Sequence, residues 1–333
     1  GKIMQASYLY ASGSAAILTT KLLSDEKIRR VAESKDTDEA LRLLFEAGYA
    51  DGVAMTSADF EDTLAAQMRQ AAEFVSENTA DRAATDCFLL RADYLNAKMA
   101  MKCKYARKTP AAYAYGGLFD GQKLFESLSR DDYSALPPEM AEALGKIDEK
   151  FFEGDRNPAV VDDILDTAYY GHVSALLKNC GSKAVKDYFA AEADTKNLIN
   201  FFRCLKAGFG KETFDGVFAA CGKIPRGFFD EMFASNGEKA AENLPCDEYR
   251  DFLEILLREY KSGVAMAESE ARAADLKKKI MYSAKDNIEG IEPLVYYYLG
   301  KQTETENIRL ILVCLKNRVD KKEIVKRLRE SYV

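Results

Sequence analysis

Few residues in this chain have the type and company that chemistry requires. His172, in YYGHVSALL, is the only imidazole in 333 residues. One histidine cannot build a multi-histidine metal centre, and no neighbouring cysteine pair or carboxylate cluster completes one. It reads as a polar or half-buried helix residue, because proton transfer would need a facing carboxylate that the sequence does not locate. Seven cysteines, at 87, 103, 180, 204, 221, 246 and 314, form no C-x-x-C pair. They are too dispersed for a zinc site or a dense disulfide framework and suit a reduced, cytosolic compartment. Gly116-Gly117 and Gly208-Phe209-Gly210 match no phosphate-cradling loop, and there is no G-x-S-x-G elbow. The adjacent acids Asp131-Asp132 and Asp162-Asp163 do not share a helix face, so they read as caps or solvated residues. No catalytic, cofactor-binding or metal-binding residue is expected.

One constellation does recur. Residues 93–104 read DYLNAKMAMKCK, 194–206 read DTKNLINFFRCLK, and 304–316 read ETENIRLILVCLK. Each has an acid, an Asn three positions later and a Cys seven positions after that: Asp93/Asn96/Cys103, Asp194/Asn197/Cys204 and Glu304/Asn307/Cys314. The asparagines stand 101 and 110 residues apart, which predicts three similar helical units at 1–108, 109–211 and 212–333. The expected role is structural. An acid at a helix start meets unpaired backbone N–H groups and the favourable end of the dipole. Asn one turn on can tie a neighbouring loop, and Cys in an apolar run packs as a small buried residue. Direct contact of the acid or the Asn with a partner is the other reading.

The elements that carry these residues read as helices throughout. Apolar residues recur at three- and four-residue spacing from Met4 to Leu23, with Gly13 interrupting. Ser24 with Asp25 and Glu26 opens a short helix, and Thr37-Asp38-Glu39 opens another. Long helices are expected at about 58–76, 85–105, 159–178, 182–205, 247–261 and 263–284, with shorter ones at 121–129 and 138–152. Further short pieces fall around 211–219 and 225–233. EPLVYYYLG leads into the third motif copy, and Asp320 looks like the cap of a terminal helix DKKEIVKRLRESYV. Sustained period-2 alternation is missing, so the fold class is all-α.

Composition agrees. The apolar fraction is 47 %, 30 % of residues are charged, and only seven prolines and twenty glycines interrupt the chain, as a helical fold requires. A net charge of −7 argues against wide phosphate neutralisation, hence against nucleic acid as partner. Residues 300–333 are the basic exception, with nine Lys or Arg against five Asp or Glu. Lys321, Lys322, Lys326, Arg327 and Arg329 form a candidate interface for acidic partner or membrane-proximal surfaces. No apolar run approaches 18 residues, and GKIMQASYLY lacks the apolar core and cleavage site of a signal peptide. YYY at 296–298 and FFR at 201–203 suit packing between helices or an interface anchor.

NIRLILVCLKN followed by DKKEIVKRLRESYV resembles the end of the C-subunit family of archaeal and bacterial V-type (V/A-type) ATPases and ATP synthases, related to the eukaryotic d-type protein. YLYASGSAAILTTKLLSDEKIRRVAES, DCFLLRADYLNAKMAMKCKYA and EADTKNLINFFRCLKAG carry the similarity across essentially the full length. The resemblance implies a non-catalytic rotor component: a funnel of three helical units on the cytoplasmic side of the membrane proteolipid ring. Such a protein receives the foot of the central stalk and passes rotation between ATP turnover and ion transport, with no cofactor and no ATP of its own. The alternative is a helical-repeat protein–protein adaptor outside a rotary ATPase. A stand-alone enzyme is a poor third.

Overall fold

The computed structural model describes residues 2–333, with side chains from Tyr8 onward, and among them every regular element is helical. In chain order these are α1 (Lys2–Thr20), α2 (Asp25–Ala32), α3 (Thr37–Glu46), α4 (Phe60–Asn78), α5 (Arg82–Ala106), α6 (Gly121–Ser129), α7 (Pro138–Phe152) and α8 (Pro158–Leu177). They continue with α9 (Lys183–Ala207), α10 (Lys211–Asp215), α11 (Arg226–Ala234), α12 (Ala240–Asn243), α13 (Arg250–Ser262), α14 (Ala267–Ala284), α15 (Glu292–Lys316) and α16 (Lys321–Arg327). Short 3₁₀ turns occupy Tyr49–Gly52 and Asp247–Tyr249.

Local signals set many of the boundaries. Ser24, Asp36, Asp120, Asn157 and Ser182 each cap a helix by accepting a backbone N–H two or three residues on. Pro138 and Pro158 occupy first-turn positions, where a missing N–H costs nothing. Two expectations fail locally. Gly13 does not interrupt α1, and Asp320 stands at the start of α16 without its side chain bonding any first-turn N–H. The last helix also ends at Arg327, after which Leu328 turns extended.

The described chain forms two compact units. The first comprises the chain to Thr85, Ala114–Leu118 and Ala284–Val333. Its axis is α15, against which α1, α2, α3, α4 and α16 pack. Leu44, Leu64, Ile308, Ile311, Leu312 and Ile324, each fully buried, make the centre of its core. The short excursion 114–118 is held there because Gly116, at φ +86°, presents its backbone to Met68 and accepts a hydrogen bond from the Tyr298 hydroxyl at 3.3 Å. A Cβ at Gly116 would lie 3.1 Å from the Met68 carbonyl oxygen, so the approach and the left-handed backbone both require glycine.

The second unit comprises Asp86–Tyr113 and Phe119–Ser283. Around α9 an aromatic core gathers Phe201, Phe202, Phe214, Phe229 and Phe252 with Leu256. Several of these rings meet edge-on, with Phe201 and Phe202 centroids 5.0 Å apart. The α7–α8 pair buries Leu144 and Ile147 of one helix and Val161 and Leu165 of the other.

Candidate functional site

The three motif copies fall on the three helices of 25 residues, α5, α9 and α15. Their acids do not open those helices, as the spacing suggested. Each lies near the middle, where the helix's own N–H groups are already paired, and turns instead to the start of another helix. Asp93 and Asp194 are 0 % exposed and Glu304 5 %, so each needs such partners.

Asp194 is the fullest case. Its Oδ1 accepts the Ile224 N–H at 2.9 Å, and its Oδ2 accepts the Lys223 N–H at 2.9 Å and the Tyr249 hydroxyl at 2.7 Å. Three residues on, Asn197 accepts the Ala219 N–H at 2.8 Å and donates to the Ala219 carbonyl at 2.9 Å. A Cβ on Gly222 would sit 2.1 Å from Asp194 Oδ1, so the loop reaches the carboxylate only without a side chain there. Burial pushes the Asp194 carboxyl above its ordinary value, although its three donors pull the other way. It pushes the Tyr249 phenol up as well, with the facing carboxylate adding to the effect.

The same arrangement appears on α15. Glu304 Oε1 accepts the Leu23 N–H at 2.7 Å, while Oε2 pairs with Lys301 Nζ at 3.0 Å. Asn307 accepts the Arg329 N–H at 3.0 Å and donates to the Arg329 carbonyl at 2.9 Å. On α5, Asp93 Oδ1 accepts the Phe119 N–H at 3.0 Å, and Asn96 is buried beside it at 1 % exposure. Leu23, Phe119 and Ile224 each stand immediately before the N-cap of a helix, α2, α6 and α11 respectively. There the backbone N–H groups are unpaired and the dipole favours negative charge. These residues form joints between elements, with no arrangement of nucleophile and base among them. Cys204 and Cys314 are buried and Cys103 is half-buried, and none of the seven cysteines is in a disulfide.

The basic set lies at the other end of the motif's reach. Lys321, Lys322, Lys326, Arg327 and Arg329 are all exposed, with Ile324 fully buried beneath them. Arg327 pairs with Glu323 at 3.3 Å and Arg329 with Glu306 at 2.9 Å. Asn307 thus holds the backbone of Arg329, bringing one motif residue and one basic residue together. α2 packs against α16 and adds exposed Lys27, Arg29 and Arg30, which the reading of the last 34 residues could not include.

The second unit contains a buried ion network that sequence reasoning missed. Glu192 of α9 receives Arg91 Nη2 of α5 at 2.6 Å to both carboxylate oxygens, and Lys277 Nζ of α14 at 2.8 Å. Burial opposes its ionisation, but the two cations win and hold the carboxyl well below its usual range. No local signal joins these three residues in the sequence, because they lie on three separate helices. His172 is buried too, with the Tyr94 hydroxyl 3.1 Å from Nδ1 and Glu139 3.9 Å from Nε2. Burial lowers its pKa, and Glu139 partly offsets that. A cleft of about 620 Å³ beside α5 and α8 carries Lys98, Lys102, Asp162 and Asp166. These charges cancel in pairs, Lys98 with Asp166 and Lys102 with Asp162.

Among the described residues no group of three or more His, Cys, Asp or Glu is placed to hold a metal ion. No described helix is long and apolar enough to cross a membrane. A family model described as ATP synthase (C/AC39) subunit matches residues 12–327. No curated protein matches the chain.

Proposed function

We propose a connector role for this chain, which belongs to the ATP synthase (C/AC39) subunit family. Membership makes it a non-catalytic helical subunit of a V/A-type ATPase. On our reading it receives the central stalk and rests on the membrane proteolipid ring as a peripheral component on the cytoplasmic side. Rotation then passes through it between the soluble head and ion transport at the ring. The observation that carries this reading is the family match across residues 12–327. Physical character supports it: buried carboxylates tie helix starts, and buried asparagines tie loop backbone, to the long helices, which suits a part that must transmit load without deforming.

The exposed basic residues Lys321, Lys322, Lys326, Arg327 and Arg329 are the candidate contact with an acidic partner surface. Charges of this kind set association rate and register more than deep affinity. The test is co-purification of the full chain with separately expressed central-stalk subunits and with the proteolipid ring. Saturable binding to both is expected. Binding to neither across several salt concentrations would remove the connector role and favour an adaptor elsewhere. In the same assay, Lys321→Glu, Lys322→Glu and Lys326→Glu together should weaken one of the two contacts by about tenfold or more at low salt. This variant spares the ion-paired Arg327 and Arg329, and unchanged affinity would dismiss the basic face as an interface.

A further inference from the structure

On α9, the residue held by Asn197 and the one held by Asp194 lie on one continuous loop, Ala219 to Ile224. On α15 the equivalent pair is Arg329, held by Asn307, and Leu23, held by Glu304. The second joint therefore closes between stretches at opposite ends of the sequence. Around it the two stretches are sewn together. The Ser331 N–H donates to Asp25 Oδ1 at 2.7 Å across 306 positions, and Ser331 Oγ donates to the Leu23 carbonyl at 2.7 Å. Tyr296 of α15 donates to the Tyr332 carbonyl at 3.0 Å, with the two rings 4.8 Å apart. Gly300, one turn along α15, lacks the side chain that would obstruct both stretches. A Cβ there would come 2.6 Å from Leu22 Cδ1 and 2.9 Å from Tyr332 Cβ.

We propose that residues 329–333 are a strap that seats the start of α2 on α15, completing a third helical unit from both ends of the sequence. In this assignment α2 stands to α15 as α11 stands to α9 and as α6 stands to α5. Leu23, Ile224 and Phe119 occupy one equivalent position, the residue before the N-cap, held by the equivalent acid of the long helix. Helices α2 and α3 then belong with α15, and residues 212–283 belong with α9. Strap and acid act jointly: Glu304 fixes Leu23, and Asn307 delivers Ser331 to Leu23 and Asp25. The assignment holds whatever the protein's partners are.

Native-state hydrogen exchange on the full chain, read by peptide mass, tests it. Asn307→Ala removes both bonds to Arg329 and should raise exchange at 22–32 at least about tenfold, with 219–234 and 119–129 unchanged. Asn197→Ala should do the converse, loosening 219–234 and leaving 22–32 protected. If Asn307→Ala does not fold, Ser331→Ala, which removes the hydroxyl bond from the strap to the Leu23 carbonyl, should give the same pattern. Faster exchange confined to 328–333, with α2 still protected, would show the segment to be a passenger and overturn the proposal.

Discussion

Replacing Glu192 with Gln isolates the energetics of the buried ion network. The substitution keeps the shape of the side chain but leaves Arg91 and Lys277 facing each other across a neutral amide. Breaking a buried pair by removing one partner costs about 3–5 kcal/mol, because the remaining charge stays desolvated. Glu192 is 7 % exposed and Lys277 19 %, but Arg91 is 33 % exposed, so water can relieve part of its burden. The lower end, about 3 kcal/mol, is the value to expect. For a unit of 150–250 residues that corresponds to a fall of roughly 6–12 °C in Tm. Thermal unfolding followed by circular dichroism reads it, with attention to the second unit's transition. The pH dependence adds a second criterion. The folded carboxyl is held below its unfolded value of 4.5, so its stabilisation is complete above that pH and is lost as pH falls through the folded value. The gap between Glu192→Gln and the natural chain should therefore narrow in acid, beginning below about pH 4.5. Replacing Arg91, Glu192 and Lys277 together by Met, Leu and Met should recover most of the loss. A Glu192→Gln variant within about 3 °C of the natural chain at pH 7 would refute the reasoning.

Gly300→Ala should destabilise the first unit by about 1–3 kcal/mol, because the Tyr332 Cβ cannot swing aside as a flexible side-chain tip can. A urea midpoint equal to that of the natural chain would contradict this. His172→Gln should flatten the pH dependence of stability between pH 7 and 5. The folded imidazole is held below its unfolded value of 6.5, so the unfolded chain gains the proton first as pH falls. Stability should decline by at most about 1.4 kcal/mol per pH unit in that window, and only in the chain that retains His172.

Helix positions were legible wherever the signal was local. Residues 121–129 and 138–152 form helices as expected, the second opening at Pro137-Pro138, while the cap of the first, Asp120, was not singled out in the sequence. The motif's spacing was legible as well, but its mechanics were not. Glu304 followed by Asn307 before an apolar run looks like a helix opening, yet α15 begins at Glu292 and runs unbroken. What a mid-helix acid bonds to depends on which loop arrives beside it, and Leu23 lies 281 positions away. Arg91, Glu192 and Lys277 were invisible for the same reason. Each reads singly as a surface charge, and only packing of α5, α9 and α14 makes them one network. The division into two compact units, each drawn from separated stretches, likewise has no counterpart in local composition.

The Glu304 to Leu23 bond sets an order of events during synthesis. Most of the second unit is one run, Phe119–Ser283, and can condense while the chain is still being made. Helices α2 and α3 emerge early but must wait for α15, 281 residues later by that contact, before their core exists. At about 5–20 residues per second the wait is roughly 14 to 56 s. During it, Leu41, Leu44 and Leu64 have no partner in Ile308, Ile311 or Leu312. Ribosome-stalled chains in which an unstructured spacer after residue 290 carries the whole second unit clear of the ribosome should accordingly resist protease across that unit and be cut within residues 22–78. Equal protection of both regions would show that the early helices find cover without α15.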